Sequence, residues 1–199
     1  MLERDLKMEA EKEMESGERL LWCGQPDAKR LAMQTLPLFI FAIPWTLFAL
    51  FWETMACAAC FGSMGKSGAG AGPGLFALIF PLFGIPFVLI GLGMLSSPYW
   101  AYKNALKTLY AVTDRRAFIV APASWGGSKT VNSYRDEDIG NIERTERADG
   151  SGDLIFAREQ YTGSRGSRGT RSIGFYGIPA VRKVADLMEK TFKSTEEEK

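Results

Sequence analysis

Histidine is absent from the 199 residues of this chain. Its absence removes the commonest general base, the Ser-His-Asp and Cys-His nucleophile systems and every imidazole metal site, and it argues against a hydrolase. Cysteine is scarce. Cys23, Cys57 and Cys60 do not form the paired spacings of a zinc ribbon or a disulfide framework, so no metal and no cofactor is expected. An excess of charge is missing too: 24 Lys and Arg against 23 Asp and Glu leave a net charge of +1, which points to no nucleic-acid partner. Charge is also missing locally, and there the absence is informative. No charged residue occurs in residues 31–52 or in residues 67–102.

At 1.5 Å per residue the first of these runs is long enough to cross a hydrocarbon layer of roughly 30 Å. The second has an apolar centre at residues 75–95 that is equally long, and Trp52, Tyr99, Trp100 and Tyr102 lie near the ends, where interfacial aromatics belong. Two spans follow, at about residues 31–53 and 75–100, joined by a Gly-rich loop over residues 54–74. A cleaved signal peptide does not fit, because about thirty Glu-rich residues precede the first run. Lys29 and Arg30 before the first run, Lys103 and Lys107 after the second, and only Lys66 between them place both termini in the cytoplasm. Pro37, Pro44, Pro81 and Pro86 each remove a backbone donor, so kinks or breaks are expected there. Gly84 and Gly91, seven residues apart, are candidates for a shared packing face. Neither apolar run, residues 31–52 or residues 75–95, carries a charge, which argues against a transport pathway.

Several motif-like strings carry less than their spacing suggests. Cys57-Ala-Ala-Cys60 has a redox spacing but sits at the end of a span rather than at a helix N-terminus, so two ordinary apolar cysteines, or a disulfide on an oxidising exterior, are the readings left. Gly65-Lys66-Ser67 lacks the upstream Gly of a phosphate loop. Asp149-Gly-Ser-Gly-Asp153 begins like a calcium loop, yet Leu154 stands where the turn needs Gly, and a hairpin turn accounts for Asp-Gly. The acidic run Asp136, Glu137 and Asp138 is the pattern of a solvated surface rather than an active site.

The flanks read as the cytoplasmic part. Leu2, Leu6, Ala10 and Met14 form a narrow apolar stripe on an acidic N-terminal helix, which suits docking on its own domain or on another protomer better than on a membrane surface. After the second span come β-like runs at residues 108–112, 117–120, 130–134, 139–143, 153–157 and 171–175, separated by turn chemistry and a long Gly/Ser loop over residues 162–169. Pro179 is placed at N1 of a terminal helix with a Val181, Val184, Ala185, Leu187, Met188 and Phe192 stripe. The chain thus divides into residues 1–30 (N-terminal helix and lead-in), 31–102 (helical hairpin), 103–193 (β-rich domain) and 194–199 (acidic tail).

Gly17-Glu18-Arg19-Leu20-Leu21-Trp22, Tyr110-Ala-Val-Thr-Asp-Arg-Arg116, Asp149-Gly-Ser-Gly-Asp-Leu-Ile-Phe156 and Gly174-Phe-Tyr-Gly-Ile-Pro179, in this order around the two apolar runs, resemble the bacterial pleckstrin-homology-like membrane proteins. The resemblance implies an α+β membrane protein: a two-helix transmembrane hairpin plus a PH-like antiparallel β-sandwich or partly open barrel of about seven strands, closed by a C-terminal helix. It implies a multi-pass protein of the bacterial inner membrane and no established activity.

The expected function is therefore a noncatalytic, membrane-anchored module that engages a protein partner or anionic lipid headgroups. Arg165, Arg168 and Arg171, with Arg115 and Arg116, are its candidate contacts. The alternative is a subunit of a homo-oligomeric complex or pore, self-associating through the hairpins and the N-terminal helix. Nothing identifies a small-molecule substrate.

Overall fold

The computed structural model of the chain describes residues 3–64, 75–123, 128–163 and 168–193. It separates into two units, Met1–Leu31 with Tyr102–Lys199, and Ala32–Ala101. In chain order the elements are α1 (Glu3–Glu11), β1 (Leu20–Gly24), α2 (Ala28–Gln34), α3 (Leu36–Met64), α4 (Leu75–Leu95), α5 (Ser97–Ala105), β2 (Leu109–Thr113), β3 (Arg116–Pro122), β4 (Lys129–Arg135), β5 (Glu143–Glu146), β6 (Gly152–Thr162), β7 (Arg168–Ile178) and α6 (Val181–Met188). The fold is α+β with two antiparallel sheets, ordered β1-β2-β3-β4 and β5-β6-β7, and among the described residues no barrel closes.

In the four-stranded sheet the inner strand β2, Leu-Tyr-Ala-Val-Thr, is buried on both faces, and it is accordingly apolar at successive positions rather than alternate ones. Tyr110, Val112 and Ala117 contribute to the main core with Leu154, Phe156, Ile173 and Phe175 of the other sheet and Val181, Val184, Ala185, Met188 and Phe192 of the C-terminal helix. Phe175 is its hub. Its ring stacks on Tyr110 at 4.9 Å and meets Phe156 at 5.0 Å and Trp22 at 5.5 Å. Burial pushes the Tyr110 hydroxyl up to about 12. On the opposite face Leu109, Ala111, Phe118 and Val120 are covered by α1 and the turn after it, through Leu6, Ala10 and Met14. The N-terminal stripe thus docks on its own unit. Leu2 lies outside the described residues.

Several expected elements shift. β1 was read only as a lead-in, yet it pairs antiparallel with β2. The strand expected at residues 139–143 is absent: Asp136–Asp138 forms a single 3-10 turn, Ile139 and Ile142 reach the core from irregular backbone, and the strand begins at Glu143. The Gly/Ser loop is shorter than expected, because β6 and β7 stay paired out to Thr162 opposite Arg168. Asp149-Gly-Ser-Gly-Asp153 is a hairpin turn: Gly150 has φ +76°, and Ser151 donates from its backbone N–H and its hydroxyl to Oδ1 of Asp149 at 2.9 and 2.6 Å. Those two bonds hold the exposed Asp149 carboxyl below its usual range.

Pro179 is not at N1. The helix starts at Val181, and the preceding Ala180 adopts the left-handed conformation with φ 49° and ψ 46°. It is the one described non-glycine residue at positive φ. A side-chain-bearing residue there is strained, so Ala180→Gly is expected to raise stability by about 0.5–1 kcal/mol, after the larger unfolded-state entropy of glycine is counted. Urea unfolding reads this as a higher midpoint, and an unchanged or lower midpoint contradicts it.

The second unit departs from the expected boundaries in length. Thr35 separates α2 from α3, where Pro37 cannot donate to the Met33 carbonyl. α3 then continues through Pro44 and past Trp52 to Met64, so residues 54–64, expected in a loop, are helical. Residues 65–74, with Gly65-Lys66-Ser67, lie outside the described residues. α4 continues through Pro81 and Pro86 but stops at Leu95 rather than near residue 100. Pro98 offers no N–H to the Met94 carbonyl, and α5 leaves at 44°. Leu36–Cys60 is long and apolar enough to cross a bilayer by itself, whereas Ile79–Leu95 is so only together with Ser97–Ala105 as a bent pair.

Candidate functional site

Of the five arginines expected to face a ligand, Arg116 is committed elsewhere. It donates from Nε to Oε1 of Glu18 at 2.9 Å and from Nη2 to Oε2 at 3.1 Å, a bidentate pair that fits the planar fork of the guanidinium. Nη2 also donates to the Glu13 carbonyl and Nη1 to the Ser133 hydroxyl, each at 2.8 Å. Glu18 receives two further bonds of 2.7 Å, from the Thr113 hydroxyl and the Glu15 N–H. The Glu18 side chain is 1 % exposed and that of Arg116 12 %. Burial alone raises a carboxyl, but the donors from Arg116, Glu15 and Thr113 together outweigh it and hold Glu18 below its usual range. The Glu18 hydrogen bond likewise raises Arg116. This cluster clamps the segment before β1 onto the β2–β3 turn. It occupies the Arg116 guanidinium with protein partners, in contrast to the open contact expected of it.

Arg115 is exposed in the β2–β3 turn. Arg165 lies outside the described residues. Arg168 and Arg171 are exposed on β7, opposite Thr162 and Glu159. Three-residue spacing that would gather arginines on a flexible loop puts these two on opposite faces of a regular strand. Arg171 comes close enough to the Tyr134 hydroxyl to oppose the rise that burial and Glu159 impose on it.

A separate apolar-walled cavity of about 270 Å³ lies between α1 and the four-stranded sheet, walled by Leu6, Leu109, Val120 and Pro122, with the Glu9–Lys129 ion pair among its polar residues. Asp136, Glu137 and Asp138 are spent on the 3-10 turn, where Asp138 accepts from the Arg135 N–H at 3.1 Å. Among the described residues no group of three or more Cys, Asp or Glu is placed to hold a metal ion.

In the helical unit α3 turns a face of small residues, Ala42, Thr46, Ala49 and Cys60, to the inside. Gly84 and Gly91 of α4 pack against that face: a Cβ on Gly84 would collide with the Glu53 carboxylate, and one on Gly91 with the Thr46 hydroxyl. The absent side chains let the helices approach closely. Trp45 fastens the pair, donating from Nε1 to the Phe87 carbonyl at 3.2 Å. Cys57 and Cys60 both lie on α3 and are not joined in a disulfide, and Cys57 lies 3.9 Å from Oε1 of Glu53 as a weak donor.

Glu53 is the residue that hydropathy missed. Expected at the very end of the first span, next to the loop, it lies well inside α3, and its Oε2 is buried with no hydrogen-bond partner among the described residues. The signal was present in the sequence: Glu53-Thr-Met-Ala-Cys-Ala-Ala-Cys60 favours helix, and one charge does not end one. Beside it α3 and α4 form an apolar cleft of about 260 Å³ lined by Trp45, Phe48, Ala49, Trp52, Phe83, Gly84 and Phe87. Comparison with protein-family models, curated proteins and solved structures finds no match to this chain.

Proposed function

We propose that α3 and α4 cross the bacterial inner membrane as a hairpin with both termini in the cytoplasm, and that the β-rich unit is a PH-like module working at the inner leaflet by binding rather than catalysis. One observation carries this reading. The large side chains of the two helices point outward: Leu47, Phe48 and Phe51 are 63 %, 67 % and 60 % exposed, and Leu82, Phe83 and Leu89 are 63 %, 62 % and 62 % exposed. Such a surface is far larger than the apolar patch a soluble monomer tolerates, and hydrocarbon is the solvent that suits it. Two sheets and a C-terminal helix around one core support the PH-like reading.

The module's free cations are suited to anionic lipid headgroups. With Arg116 withdrawn into the Glu18 cluster, Arg168 and Arg171 at the start of β7 and Arg115 in the β2–β3 turn carry that role. The test uses the full chain in nanodiscs of neutral or anionic lipid. Amide exchange over residues 168–172 is expected to slow in the anionic discs, and the slowing to vanish in Arg168→Ser/Arg171→Ser. Equal exchange in both lipids removes the lipid ligand and leaves a protein partner as the occupant.

A further inference from the structure

We infer that the helical hairpin holds a binding site for a lipophilic organic cation, with Glu53 as counter-charge and the Trp45–Trp52 cleft as its aromatic wall. The inference rests on the membrane reading above, because in a bilayer this cleft opens to hydrocarbon and is reached by ligands that partition there.

The carboxylate comes first. Glu53 stands seven residues before the end of the Leu36–Cys60 stretch, about 10 Å inside it along the helix. An ionisable group at that depth is expensive and needs a partner. Oε1 has the Cys57 thiol at 3.9 Å, a poor donor, and Oε2 has none among the described residues although it is buried. No lysine or arginine belongs to α3 or α4, so among the described residues of the two helices no cation meets the charge.

The chemistry beside it is specific. Five of the seven residues lining the cleft are aromatic, and its rings pack on one another: Trp45 lies 6.0 Å from Phe87, and Phe83 lies 5.3 Å from Phe87. Ring faces attract cations, most of all the ammonium groups whose weak hydration lets them leave water. Cleft and carboxylate converge on Gly84. A Cβ there would collide with Oε2 and come within 3.7 Å of Trp52 Cδ1, so the missing side chain lets the carboxylate lie against a backbone position that itself lines the cleft. A neutral ligand would gain the cleft alone, and a small inorganic cation the carboxylate alone. An alkyl- or aryl-substituted ammonium gains both.

The probe is radiolabelled benzyltrimethylammonium, with neopentylbenzene, its neutral carbon isostere, as competitor, in equilibrium dialysis of the full chain in mild detergent. One saturable site per chain is expected, which the neutral isostere does not displace. Glu53→Gln should weaken it at least about tenfold, since it removes the counter-charge at constant shape, and Trp52→Leu by roughly three- to thirtyfold. Absence of saturable binding, equal binding by Glu53→Gln, or displacement by the isostere on the unaltered chain overturns the proposal. An alkaline carbonate wash of the source membranes separates the two failures. A chain that stays in the pellet but binds no cation sinks the site alone, and a chain that is washed off sinks the membrane reading with it.

Discussion

Replacing Arg116 with alanine is expected to destabilise the β-rich unit by about 3–5 kcal/mol, because it leaves the Glu18 carboxylate buried and without its bidentate partner. The loss comes less from the attraction forfeited than from the desolvated charge left behind, so Glu18→Ala should cost less than Arg116→Ala: it strands a guanidinium that is more exposed and that keeps bonds to Ser133 and the Glu13 carbonyl. Acid should act on the same pair. The folded carboxyl titrates below its unfolded value of about 4.3, so the cluster's contribution is complete above that value and is lost as pH falls through the folded one. Urea unfolding of the full chain between pH 7 and pH 3 should therefore show a falling midpoint that Glu18→Gln flattens. Parallel curves for the two proteins would mean that the pair contributes nothing to acid stability.

Phe175→Ala should cost about 3–5 kcal/mol, the range for emptying an aromatic site in a packed core. The ring is fully buried and touches three others, one from β1, one from β2 and one from β6, so its removal loosens both sheets at once. Phe175→Leu, which refills part of the volume, should recover roughly half. Equal costs for the two variants would show that ring geometry rather than volume governs the site, and a cost below about 1 kcal/mol would contradict the placement of Phe175 at the centre of the core.

These two expectations also mark where the sequence could be read and where it could not. The stripe Val181, Val184, Ala185, Leu187, Met188 and Phe192 is legible because α6 and the helical turn after it carry it, and every member is buried except Leu187, which is partly buried. The Glu18–Arg116 pair was invisible for the opposite reason: its partners stand 98 positions apart, and both belong to strings noticed for other reasons. β5, Glu-Arg-Thr-Glu, has no apolar residue to alternate, and all four positions are exposed, so its strand state is imposed by pairing with β6.

In the helical unit the errors share one cause. Hydropathy marks where charge begins, while hydrogen bonding decides where a helix ends. The first charge after residue 52 did not stop α3, and the absence of charge up to residue 102 did not carry α4 past the donor that Pro98 lacks. Glu53 was lost in the first of these gaps, and the carboxylate with the strongest claim to a function was read as the edge of a span. The arginines erred by a related route: a spacing of three was read as one loop surface, whereas Arg168 and Arg171 lie on a strand whose period is two.

The central claim is that α3 and α4 form a membrane-crossing hairpin and that the β-rich unit is cytoplasmic. Topology reporters inserted at Gly70 and fused after Lys199 of the full chain test it most directly. The hairpin predicts an external signal at Gly70 and a cytoplasmic one at Lys199, whereas cytoplasmic signals at both sites would contradict it.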